Sequence, residues 1–209
     1  RQMPVAPDDA APDAFVVPDP TFRLPEGVTP LAYDLRLEID PQKDRFAGAV
    51  EIRIQLAAAT RTIWLHAGEL EITGATYREG TRDGVIEGNR MGLRGLRVLA
   101  LDRPVGPGEV VLKLVYAGPI GSDFQGLFRQ RAGGKWAVFS QGEAGHTRRF
   151  VPCFDEPRFK ASWRVTLTVP RDQVALANAP VELDTKLADG RHEVRFAQIE
   201  ALASHLLAV

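Results

Sequence analysis

Residues 135–170, KWAVFSQGEAGHTRRFVPCFDEPRFKASWRVTLTVP, read as strand, polar turn, buried loop and strand. From Trp136 to Glu143 the residues alternate with a period of two. This predicts Ala137, Phe139, Gln141 and Glu143 on one face of a strand, and Trp136, Val138, Ser140 and Gly142 on the other. A carboxylate two residues from a carboxamide, beside an aromatic wall, offers acceptors to a small cationic group and leaves little room for water. That arrangement suits an amine; the plain alternative is a pair of solvated strand-end residues. The loop that follows, Arg148 to Pro157, mixes two cations, two anions, two aromatics and two prolines in ten residues. Opposite charges flanking a buried Pro-Cys-Phe must pair internally to tolerate burial, so Arg148, Arg149, Asp155 and Glu156 are assigned to structure.

Outward from this stretch, strand signals dominate. Tyr33, Leu35, Leu37 and Ile39 alternate with charged residues, Pro41 to Asp44 makes a turn, and Val50, Ile52, Ile54 and Leu56 alternate again: a hairpin with one wet and one buried face. Thr62–His66, Leu70–Arg78, Val85–Leu93, Arg97–Leu101 and Glu109–Tyr116 continue the pattern, with Gly and Pro in nearly every gap. Ala132-Gly133-Gly134 marks a hairpin turn between two further strands. Asp155–Lys160 reads as one helical turn, because Pro157 suits a first-turn position behind acidic residues. Trp163–Val169, Glu193–Phe196 and His205–Val209 supply the last strands. Helical periodicity of useful length is absent, so the expected fold class is all-β, in two or more packed sheets.

The run SQGEAGHTRRFVPCFDEPRFKASWRVTLTVP, with Leu176 to Pro180, Phe196 to Val209, Pro30 to Leu35 and Phe46-Ala47-Gly48, resembles the amino-terminal domain of the M1 zinc aminopeptidases, the aminopeptidase N and leukotriene A4 hydrolase group. The resemblance implies a saddle-shaped multi-sheet β-sandwich over residues 22–209, with at most one short helical turn near 155–160. It also implies a role. Ser140-Gln141-Gly142-Glu143 matches the family segment whose Gln and Glu enter the active site, so Glu143 is expected to bind the substrate α-ammonium. Gln141 is expected to line the pocket for the first side chain, with Phe139 and Gly142 as pocket wall. The implied partners are the amino terminus of a peptide and the parent's own catalytic domain downstream of Val209. Gly145-His146-Thr147, and His205 in place of a Tyr, depart from the family pattern and leave side-chain preference open. A non-catalytic scaffold of the same fold is the alternative, and the wider family includes epoxide hydrolase activity besides exopeptidase activity.

Composition bounds the rest. The 209 residues, 44% hydrophobic, suffice for one substantial domain. The 26 basic and 27 acidic residues are scattered rather than striped, which makes no case for nucleic acid. No apolar run approaches the roughly 18 residues of a transmembrane helix. The single Cys153 excludes an intrachain disulfide and, between Pro152 and Phe154, reads as a small buried hydrophobe. Residues 1–21 form a Pro-, Ala- and Asp-rich tail, with five prolines in the first twenty residues. Tails of this composition follow a removed signal or lipid-anchor segment in exported bacterial proteins. The expected location is therefore extracytoplasmic, with cytoplasmic as the alternative.

Zinc peptidases of this type need HExxH on a helix and a further carboxylate. The four histidines, His66, His146, His192 and His205, do not provide it: His192-Glu193 is followed by Phe at position 196 within a strand pattern. Neither Met3 nor Met91 precedes the Glu-Asn of the family's exopeptidase motif. The stretch alone is therefore expected to be inactive and metal-free, with the zinc held by the downstream catalytic domain.

Overall fold

Alternation of apolar and charged residues builds the strands of the computed structural model, which describes residues 23–209; the tail expected over residues 1–21 lies outside the described residues. In chain order the strands are β1 (Val28–Glu38), β2 (Arg45–Leu56), β3 (Thr60–His66), β4 (Glu71–Glu79), β5 (Arg82–Met91), β6 (Leu96–Val105), β7 (Gly108–Pro119), β8 (Gly126–Ala132), β9 (Lys135–Gln141), β10 (Lys160–Pro170), β11 (Val181–Lys186), β12 (Arg191–Phe196) and β13 (Ile199–Ala203). Eleven of them form one sheet in the order β11-β12-β10-β1-β2-β7-β4-β5-β6-β3, with β13 beside β10. β8 and β9 make a separate two-stranded ribbon.

β2 shows why the sheet has two faces. Phe46, Val50, Ile52, Ile54 and Leu56 are buried, while Glu51, Arg53 and Gln55 are exposed. Each buried aliphatic side chain contributes about 1.5–3 kcal/mol. The inward residues of β1, β2 and β7 join those of β3 and β6 in one apolar core, so the sheet path packs against itself as an all-β sandwich. β10 is buried on both faces, with Trp163, Val165 and Leu167 on one and Ser162, Thr166 and Thr168 on the other. It pairs parallel with β1, as strands covered on both sides often do.

Two tyrosines join this sheet to the loop after β9. Tyr33 stacks on Trp163 with centroids 3.8 Å apart, and its hydroxyl accepts the Phe154 N–H at 3.1 Å. Tyr116 donates its hydroxyl to the Phe150 carbonyl at 3.1 Å. Both rings are buried, and burial raises both phenol pKa values well above the usual value. The Phe150–Phe154 stretch is therefore a lining of the core, as its composition predicts.

Two local expectations are corrected. Asp155–Lys160 forms a non-helical turn, and the short 3-10 turns lie at Leu93–Gly95, Thr147–Arg149 and Ser204–Leu206. The Asp155 N–H and carboxylate are engaged by other partners, so they do not start a helix. His205–Val209 is not a strand: Leu207 N–H closes a 3-10 turn on the Ser204 carbonyl, and an extended tail follows. β11 was not foreseen, since all six of its residues are exposed at the sheet edge and present no buried face.

Candidate functional site

The ribbon β8–β9 is not paired into the main sheet, but Leu127 packs into the core and Val138 lies against it, and further contacts fasten it. Gly121 bridges Phe128, the Arg129 guanidinium donates to the Lys43 carbonyl at 2.7 Å, and the chain end runs alongside β9. In that last contact Ser140 N–H donates to the Val209 carbonyl at 3.1 Å, while Val209 N–H donates to Ser140 Oγ at 2.9 Å. Asn178 clamps the same segment, donating to the Leu206 carbonyl at 3.0 Å and accepting from Ala208 N–H at 2.7 Å.

β9 ends at Gln141, two residues before the expected strand limit, so Glu143 is not on the face of Phe139 and Gln141 by strand alternation. A turn takes over because the Gly142 carbonyl accepts the His146 N–H at 2.8 Å. A Cβ at residue 142 would sit 2.5 Å from Thr147 Oγ1 and 2.8 Å from the His205 carbonyl, so this position admits only glycine without movement. Gln141 and Glu143 are nevertheless brought together: Glu143 N–H donates to Gln141 Oε1 at 3.1 Å. Both side chains are exposed, and the Glu143 carboxylate makes no ion pair among the described residues. His146 acts through its backbone, its carbonyl accepting the Arg149 N–H at 3.0 Å.

Behind the Glu143 loop lies a buried polar knot. Arg148 Nε donates to Asp155 Oδ2 at 2.9 Å, Arg148 Nη2 to the Asp155 carbonyl at 3.0 Å, and Ser204 Oγ to Asp155 Oδ1 at 2.7 Å. Thr147 Oγ1 donates to the Ser204 carbonyl at 3.0 Å. Asp155 N–H donates to Nδ1 of His66, a side chain only 5% exposed. Burial lowers the His66 pKa to about 4; Arg148 adds to that effect, and Asp155 and Glu156 oppose it. His66 and Cys153 exchange backbone hydrogen bonds, and burial, followed by Asp155, pushes the Cys153 thiol well above its usual pKa. Arg148 and Asp155 thus pair within the loop, whereas Arg149 reaches Asp123 at 2.9 Å and Glu156 binds Arg158 at 2.7 Å.

The turn after β9 thus presents an exposed carboxylate on a backbone held from behind. An open groove of about 430 Å³, lined by Ile39, Phe139, Val169, Val174, Leu176 and Val209, runs along the β9 side. Phe139, Val174 and Leu176 are exposed. Phe128 and Phe124 extend the Phe139 wall and escaped the sequence reading, because neither lies in the Ser-Gln-Gly-Glu motif. Cross-strand pairing of Phe128 with Phe139, foreseeable from the hairpin turn at Gly133-Gly134, was the available signal.

Among the described residues no group of three His, Cys, Asp or Glu side chains converges to hold an ion. His66 is taken up in the knot, and His192 meets Asp184 at 2.8 Å on the strand β12.

The fold is thus an all-β sandwich that carries the Gln141–Glu143 turn at the end of β9 and an exposed apolar groove along that strand. The family model for the peptidase M1 N-terminal domain matches residues 29–206, and the chain belongs to that family. It is 34% identical over 169 residues to aminopeptidase M1-B of Oryza sativa subsp. japonica, covering 78% of this chain and 19% of that protein. It is 28% identical over 197 residues to human glutamyl aminopeptidase, covering 89% of this chain and 21% of that protein. Against aminopeptidase N of Acetobacter pasteurianus the identity is 26% over 212 residues, covering 99% and 59%. The chain spans about a fifth of the length of the plant and human relatives.

Proposed function

We propose that this domain anchors the free α-amine of peptide substrates for a zinc-dependent aminopeptidase, with Glu143 as the anchor and Gln141 lining the pocket of the first residue. The observation that carries the reading is the exposed Glu143 carboxylate, unpaired among the described residues, on a loop fixed from behind by Thr147, Arg148, Asp155 and Ser204. An anion held rigidly at a fixed distance from the reaction centre counts one residue from the amino end. A blocked or internal peptide leaves that anion unpaired and is rejected. The catalytic domain of the parent supplies the zinc, the water-activating chemistry and the cover for the apolar groove beside β9. The proposal extends to location: the composition of residues 1–21 supports a parent outside the cytoplasm.

The test uses the full-length parent with zinc and aminoacyl-arylamide substrates. Losing one partner of a desolvated ammonium–carboxylate contact costs about 2–5 kcal/mol, so Glu143→Ala is expected to lower kcat/KM at least thirtyfold. Wild type is expected to discriminate against N-acetylated substrates and the variant to lose that discrimination. A parent that releases no amino acid, or a variant equal to wild type, favours the scaffold alternative.

A further inference from the structure

Three phenyl rings line up at the ribbon, with Phe139 and Phe124 exposed and Phe128 buried between them. Phe139 lies 5.9 Å from Phe128, and Phe128 lies 5.3 Å from Phe124, centroid to centroid. Phe139 and Phe128 are cross-strand partners, and Gln141 follows two residues beyond Phe139 on the same face, opposite the bare backbone of Gly126. The wall therefore leads directly to the residue assigned to the first-residue pocket.

Phe124 is the unusual member. The residue is 57% exposed, and its backbone stands at φ 61°, a left-handed conformation that an aromatic residue seldom adopts. Packing against the neighbouring loop holds it there. Arg149 donates to Asp123 Oδ2 at 2.9 Å and to Gln125 Oε1 at 2.8 Å, one residue to either side of Phe124. A Cβ at Gly126 would lie 2.6 Å from Arg149 Cβ, so the two loops interlock at that point. Arg149 is the neighbour of Arg148, whose side chain belongs to the knot behind Glu143. One loop pair thus sets both the anion and the outermost ring.

Apart from Lys135, which shares the Phe139 face at the far end of β9, the charges of the ribbon are kept elsewhere. Arg129 and Arg131 project to the opposite face, their guanidinium carbons 5.0 and 5.1 Å from the Trp136 ring centroid. Asp123 and Arg149 neutralise one another. The face from Ala137 to Gln141 consequently offers rings and an amide and no fixed charge.

We propose that Phe124 and Phe139, backed by the buried Phe128, select large apolar or aromatic first residues, with Phe124 as the residue that sets the preference. The selector rests on the amine-anchor reading of Glu143, since the wall matters to a side chain only when the amine is held beside it. Acidic and basic first residues find no countercharge on the wall and are disfavoured.

The experiment compares kcat/KM of the full-length zinc-loaded parent for Ala-, Leu-, Phe-, Glu- and Lys-arylamides in wild type, Phe124→Ala and Phe124→Leu. Wild type is expected to favour Phe and Leu over Glu and Lys. In Phe124→Ala the Phe-to-Ala ratio of kcat/KM falls at least tenfold, and Phe124→Leu restores it in part. A uniform loss across the five substrates, or an unchanged ratio, overturns the selector while leaving the amine anchor intact. A wild-type parent inactive on every substrate overturns the anchor, and the selector with it.

Discussion

Protonation of His66 is expected to destabilise the domain between pH 6.5 and 4. The imidazole is buried, and its Nδ1 accepts the Asp155 N–H at 3.2 Å, so the neutral ring is the one that fits. A protonated Nδ1 would place N–H against N–H beside the Arg148 guanidinium, with Asp155 and Glu156 offsetting part of the cost. Its folded pKa is lowered from 6.5 to about 4. Between those values the unfolded chain binds more protons than the native one, so stability is fully present above pH 6.5 and is lost as pH falls toward 4. A shift of that size corresponds to about 3 kcal/mol, or roughly 6–12 °C in Tm for a domain of this length. Urea unfolding of the chain at pH 7, 5.5 and 4.5 measures the loss, with His66→Asn as control. The Asn amide oxygen can still accept from Asp155 N–H but cannot titrate. The variant is less stable at pH 7 through lost packing, yet its stability should fall less steeply with acid, by about 3 kcal/mol over the window. Parallel pH profiles, or an NMR titration of His66 with a midpoint near 6.5, would refute the reasoning.

Three further outcomes follow from the same contacts. Gly142→Ala forces a methyl group against Thr147 and the His205 carbonyl and is expected to cost about 1–3 kcal/mol, read as a lower urea midpoint; an unchanged midpoint contradicts the close approach. Asp155→Ala leaves Arg148 and Ser204 without their partner and is expected to cost about 3–5 kcal/mol, so a loss under 1 kcal/mol would show the knot to be dispensable. Cys153, fully buried with its thiol pKa raised, is expected to resist a thiol reagent at pH 8 in the native state and to react promptly in urea. Fast native labelling would contradict its burial.

Long stretches of the sandwich were legible because burial there is one-sided. Val50, Ile52 and Ile54 announce the inner face of β2 through simple alternation, as do Tyr33, Leu35 and Leu37 for β1. β11 lacks a buried face and depends on its backbone pairing with β12, which composition does not reveal. The Ser140-to-Glu143 segment was legible as a motif, and its geometry less so. Gln141 and Glu143 are indeed neighbours, but through a hydrogen bond across a turn instead of a shared strand face. The turn arises from Gly142 meeting residues 147 and 205, a distant contact invisible in local spacing. Phe124 was missed for a similar reason: its place is set by Arg149, which lies beyond the intervening ribbon.

The most direct measurement is the crystal structure of the full-length parent with a bound peptide analogue bearing a free amino terminus. The amine-anchor reading predicts the α-nitrogen about 2.7–2.9 Å from a Glu143 carboxylate oxygen, the distance of a charge-assisted hydrogen bond. An α-amine held by other groups, with Glu143 facing solvent, would contradict it.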